Sequence, residues 1–221
     1  MSLKSDPSSP PASSLSDSPS DSHSDGQPDS TARAYFFGYG SLVNLSTHGF
    51  AEAHPARARG WRRAWRHTHL RPVAFLTAVP DPGCTIEGMI AHVPGDDWAA
   101  LDEREHAYAR IKVPDDVEHP LGGKLDVAIY AIPHDAHGRP DAAHPVLLSY
   151  LDTVVQGYLR AFGTEGAIRF FDTTSGWDAP VMDDRAAPVY PRHQPLTRTE
   201  TAFVDDQLAR LGVTLIPPHP V

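Results

Sequence analysis

The chain has 221 residues, a formal net charge of −9 and 40% apolar residues. That length suits one domain with a real core, and the acidic balance argues against a nucleic-acid surface, which needs a basic stripe. The single cysteine, Cys84, excludes an internal disulfide and a cysteine-based zinc site, and no apolar run approaches the length of a membrane span.

Residues 1–32 are rich in Ser, Pro and Asp and nearly devoid of apolar side chains. Such a segment cannot bury enough surface to offset its ordering entropy, so a disordered tail is expected. It lacks the apolar core of a secretory signal, which makes a cytoplasmic location the default expectation. A single domain is then expected over residues 33–216.

That domain opens on Tyr35-Phe36-Phe37-Gly38-Tyr39-Gly40-Ser41-Leu42. The aromatic run reads as a buried strand. Gly38 and Gly40 mark a bulge or a close backbone approach, and Gly40-Ser41-Leu42 reads as a tight loop whose N–H groups can form a small anion-binding nest. The plain alternative is a core strand ending in an ordinary turn. Three better-known motifs fail here. Val43 stands where a dinucleotide fingerprint needs its third glycine, and no lysine is near for a phosphate loop. Tyr39 and Val43 stand where a nucleophile elbow needs glycines around Ser41. The Ser41 backbone, not its hydroxyl, is therefore the group of interest.

Asn44 to His48 reads as a loop or a single helical turn. Arg57 to His69 alternates as a strand with Trp61, Arg63, Trp65, His67 and His69 on one face. The His67-x-His69 pair admits a metal reading, but no third ligand stands nearby and solvated or hydrogen-bonded histidines are the usual case. Val73 to Val79 and Thr85 to Val93 read as two strands joined by an Asp81-Pro82-Gly83 turn, a hairpin. A helix is expected from Asp97 to about His106, capped by Asp96. Trp98 and Leu101 share its buried face, and Glu105 continues that face. The competing reading makes Asp102-Glu103-Arg104-Glu105 a solvated charge cluster.

Tyr108 to Val113 and Leu125 to Ile132 are further strands. Pro145 suits the first turn of a long helix through Phe162, with Gly163 at its end and a shorter helix following to Phe171. Asp183-Asp184-Arg185 and Tyr190-Pro191-Arg192-His193 are polar clusters that can line a site or anchor a loop. Thr197-Arg198-Thr199-Glu200 is a capping box opening a last helix that Gly212 stops. Strands first and helices last give the α+β class: a small, mostly antiparallel curved sheet or barrel with flanking helices.

Phe37-Gly38-Tyr39-Gly40-Ser41-Leu42 resembles the F-G-Y-G-S-L signature of the γ-glutamylcyclotransferase-like superfamily, which includes the ChaC-type enzymes. Arg104-Glu105-His106-Ala107-Tyr108, after Leu101-Asp102, resembles its second motif. The resemblance covers residues 35–113. It implies a compact barrel-like fold with no metal or cofactor, and a small-molecule γ-glutamyl substrate whose α-amine attacks its own γ-carbonyl to close 5-oxoproline. It maps the essential acid, the general acid/base, onto Glu105. It maps the substrate-binding loop onto Gly38, Tyr39, Gly40, Ser41 and Leu42. Tyr39 and Tyr108 are placed to orient base or substrate. Glutathione-specific ChaC proteins carry a Gly-Pro-Ser-Gly stretch and a following Asn-x-Glu-Tyr-Leu where this chain has Ser149 to Leu159. The resemblance therefore leaves a γ-glutamyl amino acid, amine or other conjugate equally open. A non-catalytic binding module for γ-glutamyl or small anionic ligands on the same fold is the alternative. Neither a nucleic-acid nor a membrane partner is expected, and the sequence sets no oligomeric state.

Overall fold

The computed structural model describes residues 32–68, 72–113, 115–133 and 138–220. Except for Ala32, the segment expected to be a tail lies outside the described residues, as does His69.

Strand β1 (Arg33–Gly38) lies inside the sheet, antiparallel to β3 (Phe75–His92) and parallel to β6 (Leu125–Ala131). Its period of two divides the aromatic run between two cores. Tyr35 and Phe37 face the larger one, and Ala34 and Phe36 the smaller. With β2 (His54–Arg66), β4 (Ala109–Lys112) and β5 (Val117–Glu118), the strand order is β4-β6-β1-β3-β2-β5, and β8 (Thr174–Ser175) pairs with β2. The result is a curved mixed sheet, a half-barrel with flanking helices. A small all-parallel sheet joins β7 (Val146–Leu147), β9 (Val181–Met182) and β10 (Leu215–Ile216).

The hairpin expected at Asp81-Pro82-Gly83 does not form. One continuous strand, β3, runs through these residues and pairs with β2 on both sides of them, from Phe75 to Pro80 and from Thr85 to Ile90. Trp61 faces Pro80 and Arg59 faces Thr85, so the turn chemistry is absorbed as a bulge. Asp81 stabilises it from both sides, accepting from Gly83 N at 3.1 Å and from Arg62 Nε at 2.7 Å. The true hairpin is β2–β3.

Helix α2 (Leu148–Asp172) packs into the larger core. Gly163 has φ 67° and ψ −173°, so two helical stretches meet there, as its position in the sequence leads one to expect. Pro145 precedes β7 rather than opening the helix, whose N-cap is Leu147. Helix α3 (Arg198–Arg210) begins with the full capping box of Thr197 and Glu200. Among the described residues no helix is long and apolar enough to cross a membrane.

Candidate active site

The loop after β1 is a 3-10 turn, Ser41–Val43, closed by Val43 N to Gly40 O and Asn44 N to Ser41 O, both 3.0 Å. The leading N–H groups of such a turn have no partner within it. Both glycines answer a steric demand. A Cβ on Gly38 would lie 2.6 Å from Leu42 Cβ, and one on Gly40 would lie 2.6 Å from Tyr150 Oη. The loop is fastened to α2 by buried Asn44, whose Nδ2 donates to Thr153 O at 2.9 Å and Gln156 Oε1 at 3.0 Å. Gly157 makes this contact possible, because a Cβ there would lie 2.7 Å from Asn44 N.

Tyr39 is buried and donates its hydroxyl to Tyr130 O at 2.6 Å. Its own carbonyl accepts from Tyr158 Oη at 2.9 Å. Beneath lies Arg63, fully buried, whose Nη1 donates to Glu87 O at 2.8 Å and Tyr158 Oη at 3.0 Å. Thr173 and Thr174 accept its other N–H groups, and the guanidinium lies over the rings of Tyr158 and Phe170. Among the described residues no carboxylate pairs with it, and burial lowers its pKa. Tyr39 is thus held at its hydroxyl and at its carbonyl.

Glu105 ends the short helix α1 (Trp98–Arg104), its N–H bonded to Leu101 O at 2.9 Å. Asp97, not Asp96, caps this helix, accepting from Ala99 N at 3.0 Å and Ala100 N at 3.4 Å. Asp96 sits in a preceding 3-10 turn and accepts from Ala34 N at 2.9 Å. The helix also stops short of His106, at Arg104. Leu101 is buried in the smaller core, with Trp98 packed against it. Asp102 stays partly open to solvent and is also engaged: it accepts from Tyr130 Oη at 2.6 Å and pairs with Arg110 at 3.4 Å. Of the three acids Glu103 is exposed, and Asp102 and Glu105 are half-buried. Tyr108 donates its N–H to Glu105 O at 2.7 Å and meets Phe75 edge-on at 6.3 Å between ring centroids.

A cavity of about 530 Å³ brings these pieces together. Gly38, Tyr39, Gly40, Ser41, Leu42, Glu105 and Tyr108 all line it. Burial pushes up the hydroxyl pKa values of Tyr39, Tyr130 and Tyr150, and the Glu105 carboxylate adds to the rise in each. The acid therefore lies within electrostatic reach of the loop.

Tyr130 and Tyr150, which the sequence does not single out, also line the cavity, as do two residues of the cluster read as able to line a site, Tyr190 and Arg192. The last two belong to a segment stapled onto α2. Asp184 is buried and accepts from Ser149 N at 2.8 Å, Ser149 Oγ at 2.6 Å and Val189 N at 2.8 Å. Arg185 grips Asp152 through two bonds of 2.7 and 2.8 Å and also pairs with Asp205 at 2.7 Å. The two polar clusters therefore divide: Asp184 and Arg185 anchor, and Tyr190 and Arg192 line the cavity. His67 stacks on His144 at 4.2 Å, and among the described residues no group of three His, Cys, Asp or Glu is arranged to hold a metal ion.

Among solved structures, an uncharacterized protein from Homo sapiens shares the fold at 14% identity and a TM-score of 0.50, over 77% of this chain and 97% of that one. A protein described as a gamma-glutamyl cyclotransferase matches at 14% identity and a TM-score of 0.49, over 78% of this chain and 98% of its own. YkqA from Bacillus subtilis matches at 19% identity and a TM-score of 0.47, over 62% of this chain. The chain spans 52% of the length of YkqA. No curated protein sequence matches the chain. The family model described as "Gamma-glutamyl cyclotransferase, AIG2-like" matches residues 36–149. That span runs from β1 through both motifs to the start of α2 and exceeds half of the 221 residues, so the chain belongs to the gamma-glutamyl cyclotransferase, AIG2-like family.

Proposed function

We propose that this protein is a γ-glutamyl cyclotransferase, which cyclises a γ-glutamyl group to 5-oxoproline and releases the attached amine, with Glu105 as general acid and base. The observation that carries this reading is the shared cavity: the Gly38 to Leu42 loop and Glu105 line the same space.

The chemistry asks for little else. The substrate's α-amine is an ammonium ion at neutral pH and must lose a proton before it attacks. Glu105 takes that proton. The freed nitrogen bonds to the γ-carbonyl carbon, and the carbonyl oxygen takes up the displaced electron pair. As the carbonyl re-forms, the bond to the leaving nitrogen breaks, and Glu105 returns the proton to that nitrogen. The ring nitrogen gives up a second proton as the lactam forms, and the departing amine carries it off. The products are therefore 5-oxoproline and an ammonium ion that keeps the charge of the substrate's α-ammonium; atoms and charge balance. One carboxylate suffices because attacking and attacked atoms belong to one molecule, and proximity supplies much of the barrier reduction. Main-chain N–H groups of the turn at Ser41 and Leu42 hold the substrate carboxylate or the developing oxyanion. Tyr108, bonded to the Glu105 carbonyl, fixes the chain that presents the acid.

The test is a panel of γ-glutamyl amino acids, amines and peptides, with 5-oxoproline detected by mass spectrometry. Release from at least one is expected. No release from any of them would leave the protein without this activity.

A further inference from the structure

The cavity is larger than a γ-glutamyl group needs. At about 530 Å³ it falls in the range of pockets that take much larger ligands, whereas a γ-glutamyl acyl group has fewer than a dozen non-hydrogen atoms. The rest of the volume has room for the leaving amine. The lining residues beyond the loop and Glu105 show what that amine meets.

A path of contacts leads away from the loop. Tyr150 Oη lies against Gly40. The Tyr150 ring meets Tyr190 edge-on at 5.0 Å between centroids. Two residues beyond Tyr190 comes Arg192, exposed and lining the same cavity. Pro72, Val73, Phe75 and Val189 add apolar surface. Tyr150, Tyr190 and Arg192 all fall outside residues 36–149, the span matched by the family.

The charge on Arg192 is uncommitted. Among the described residues its guanidinium has no ion-pair or hydrogen-bond partner, whereas Arg185 is held by two carboxylates. Its backbone is also well placed to present it. Tyr190 N donates to Ser149 Oγ at 3.3 Å and Gln194 N to Thr153 Oγ1 at 3.2 Å, so the segment is tied to α2 on either side of Arg192. A planar guanidinium fork matches a carboxylate.

We infer that Tyr150, Tyr190 and Arg192 form the subsite for the leaving amine, and that Arg192 selects γ-glutamyl conjugates of apolar or aromatic α-amino acids by binding the free carboxylate of the departing amino acid. This inference rests on the cyclotransferase reading above. Tyr150 and Tyr190 pack against the side chain, and Arg192 at the mouth takes the carboxylate, leaving the loop and Glu105 to the glutamyl end. Conjugates of simple amines fill the apolar part and leave Arg192 unused.

The experiment compares γ-glutamyl-phenylalanine with γ-glutamyl-phenethylamine, which differs only in lacking that carboxylate. For the wild-type protein, kcat/KM for 5-oxoproline release should favour the phenylalanine conjugate by about tenfold or more, the size expected for a charged hydrogen bond. In Arg192→Gln that ratio should fall toward one. Equal rates for both conjugates in the wild type, or an equal loss on both in the variant, would overturn the inference, the latter because Arg192 would then serve the glutamyl end. Calorimetric binding of the two conjugates to Glu105→Gln makes the same comparison without turnover. A binding preference removed by adding Arg192→Gln would uphold the subsite, and if the wild-type protein releases no 5-oxoproline from any conjugate the cyclotransferase reading alone sinks. Equal binding of the two conjugates would sink the subsite.

Discussion

The Tyr39 hydroxyl donates to the main-chain carbonyl of Tyr130 at 2.6 Å. The Tyr130 hydroxyl in turn donates to Asp102 Oδ1, also at 2.6 Å. Asp102 stands three residues before Glu105 on the helix that Glu105 ends. Two hydrogen bonds therefore run from the strand that delivers the loop, through β6, to the helix that delivers the acid. These bonds tie the strand before the loop to the helix that carries Glu105.

Breaking that link at its second bond should cost activity more than stability. Tyr130→Phe keeps the Tyr39 bond, which uses the Tyr130 main chain, and frees the Asp102 end of α1. The expected stability loss is about 1 kcal/mol. The expected fall in kcat/KM for 5-oxoproline release is about tenfold, since small misplacements of a catalytic group are expensive. Urea denaturation and steady-state kinetics measure the two. A variant with wild-type kcat/KM would remove any positioning role from the link.

Two glycines, Gly88 in β3 and Gly40 in the loop, should respond differently to a methyl group. Gly88→Ala drives a Cβ to 2.5 Å from the Gly38 carbonyl oxygen and from Phe37 Cζ, in the packed centre of the sheet. It should destabilise the fold by about 1–3 kcal/mol. Gly40→Ala clashes with the end of the Tyr150 side chain and otherwise reaches Leu76 at an ordinary contact distance. It should leave the fold standing and raise KM, and Tyr150→Phe in the same chain should recover part of that loss. Failure of the double variant to improve on Gly40→Ala would show that the alanine acts through the loop backbone instead.

Much of the candidate site is legible in the sequence because it is local. The Phe37 to Leu42 run and the Leu101 to Tyr108 run each carry their spacing in contiguous residues, and period-two burial of Tyr35, Phe36 and Phe37 follows from alternation. What was not legible depends on partners far along the chain. Asp81-Pro82-Gly83 has the composition of a turn, and only its pairing opposite Gly60 in β2 makes it a bulge. Asp102 looked solvated because its partner, Tyr130, lies 28 residues away. Tyr190 and Arg192 sit in an irregular segment whose placement is decided by buried Asp184 capping Ser149, 35 residues earlier. No pattern within the segment itself records that contact.

Arg63 should prove to be a structural strut. Its guanidinium satisfies the Glu87 carbonyl, Tyr158 and two threonines without a paired carboxylate. Arg63→Met fills the space but strands those buried acceptors, at a cost of about 3 kcal/mol. Lysine lacks the fork and should recover little of it. A Met variant as stable as the wild type in chemical denaturation would contradict this role.

Alkaline pH should unfold the protein through its buried tyrosines. Burial pushes the Tyr158 hydroxyl up to about 12, with Arg63 pulling the other way, against about 10 in an unfolded chain. Below pH 10 the hydroxyl is neutral in both states and its contribution is complete. As the pH rises from about 10 to 12 the unfolded chain loses the proton and the folded one keeps it, so stability falls, by about 3 kcal/mol for this group. Tyr39, Tyr130 and Tyr150 are shifted in the same direction. Urea midpoints taken between pH 9 and 12 should decline, with tyrosinate absorbance appearing as the protein unfolds. A constant midpoint would contradict the assignment.

The most direct measurement is 5-oxoproline release by the wild-type protein and by Glu105→Gln, on whichever γ-glutamyl conjugate the wild type turns over fastest. Glutamine keeps the shape of the side chain and cannot carry the proton. With the variant's fold and substrate binding checked by thermal unfolding and calorimetry, its kcat should fall by about 10²–10⁴-fold. A Gln variant that binds substrate and turns it over at the wild-type rate would contradict the assignment of Glu105 as the acid and base.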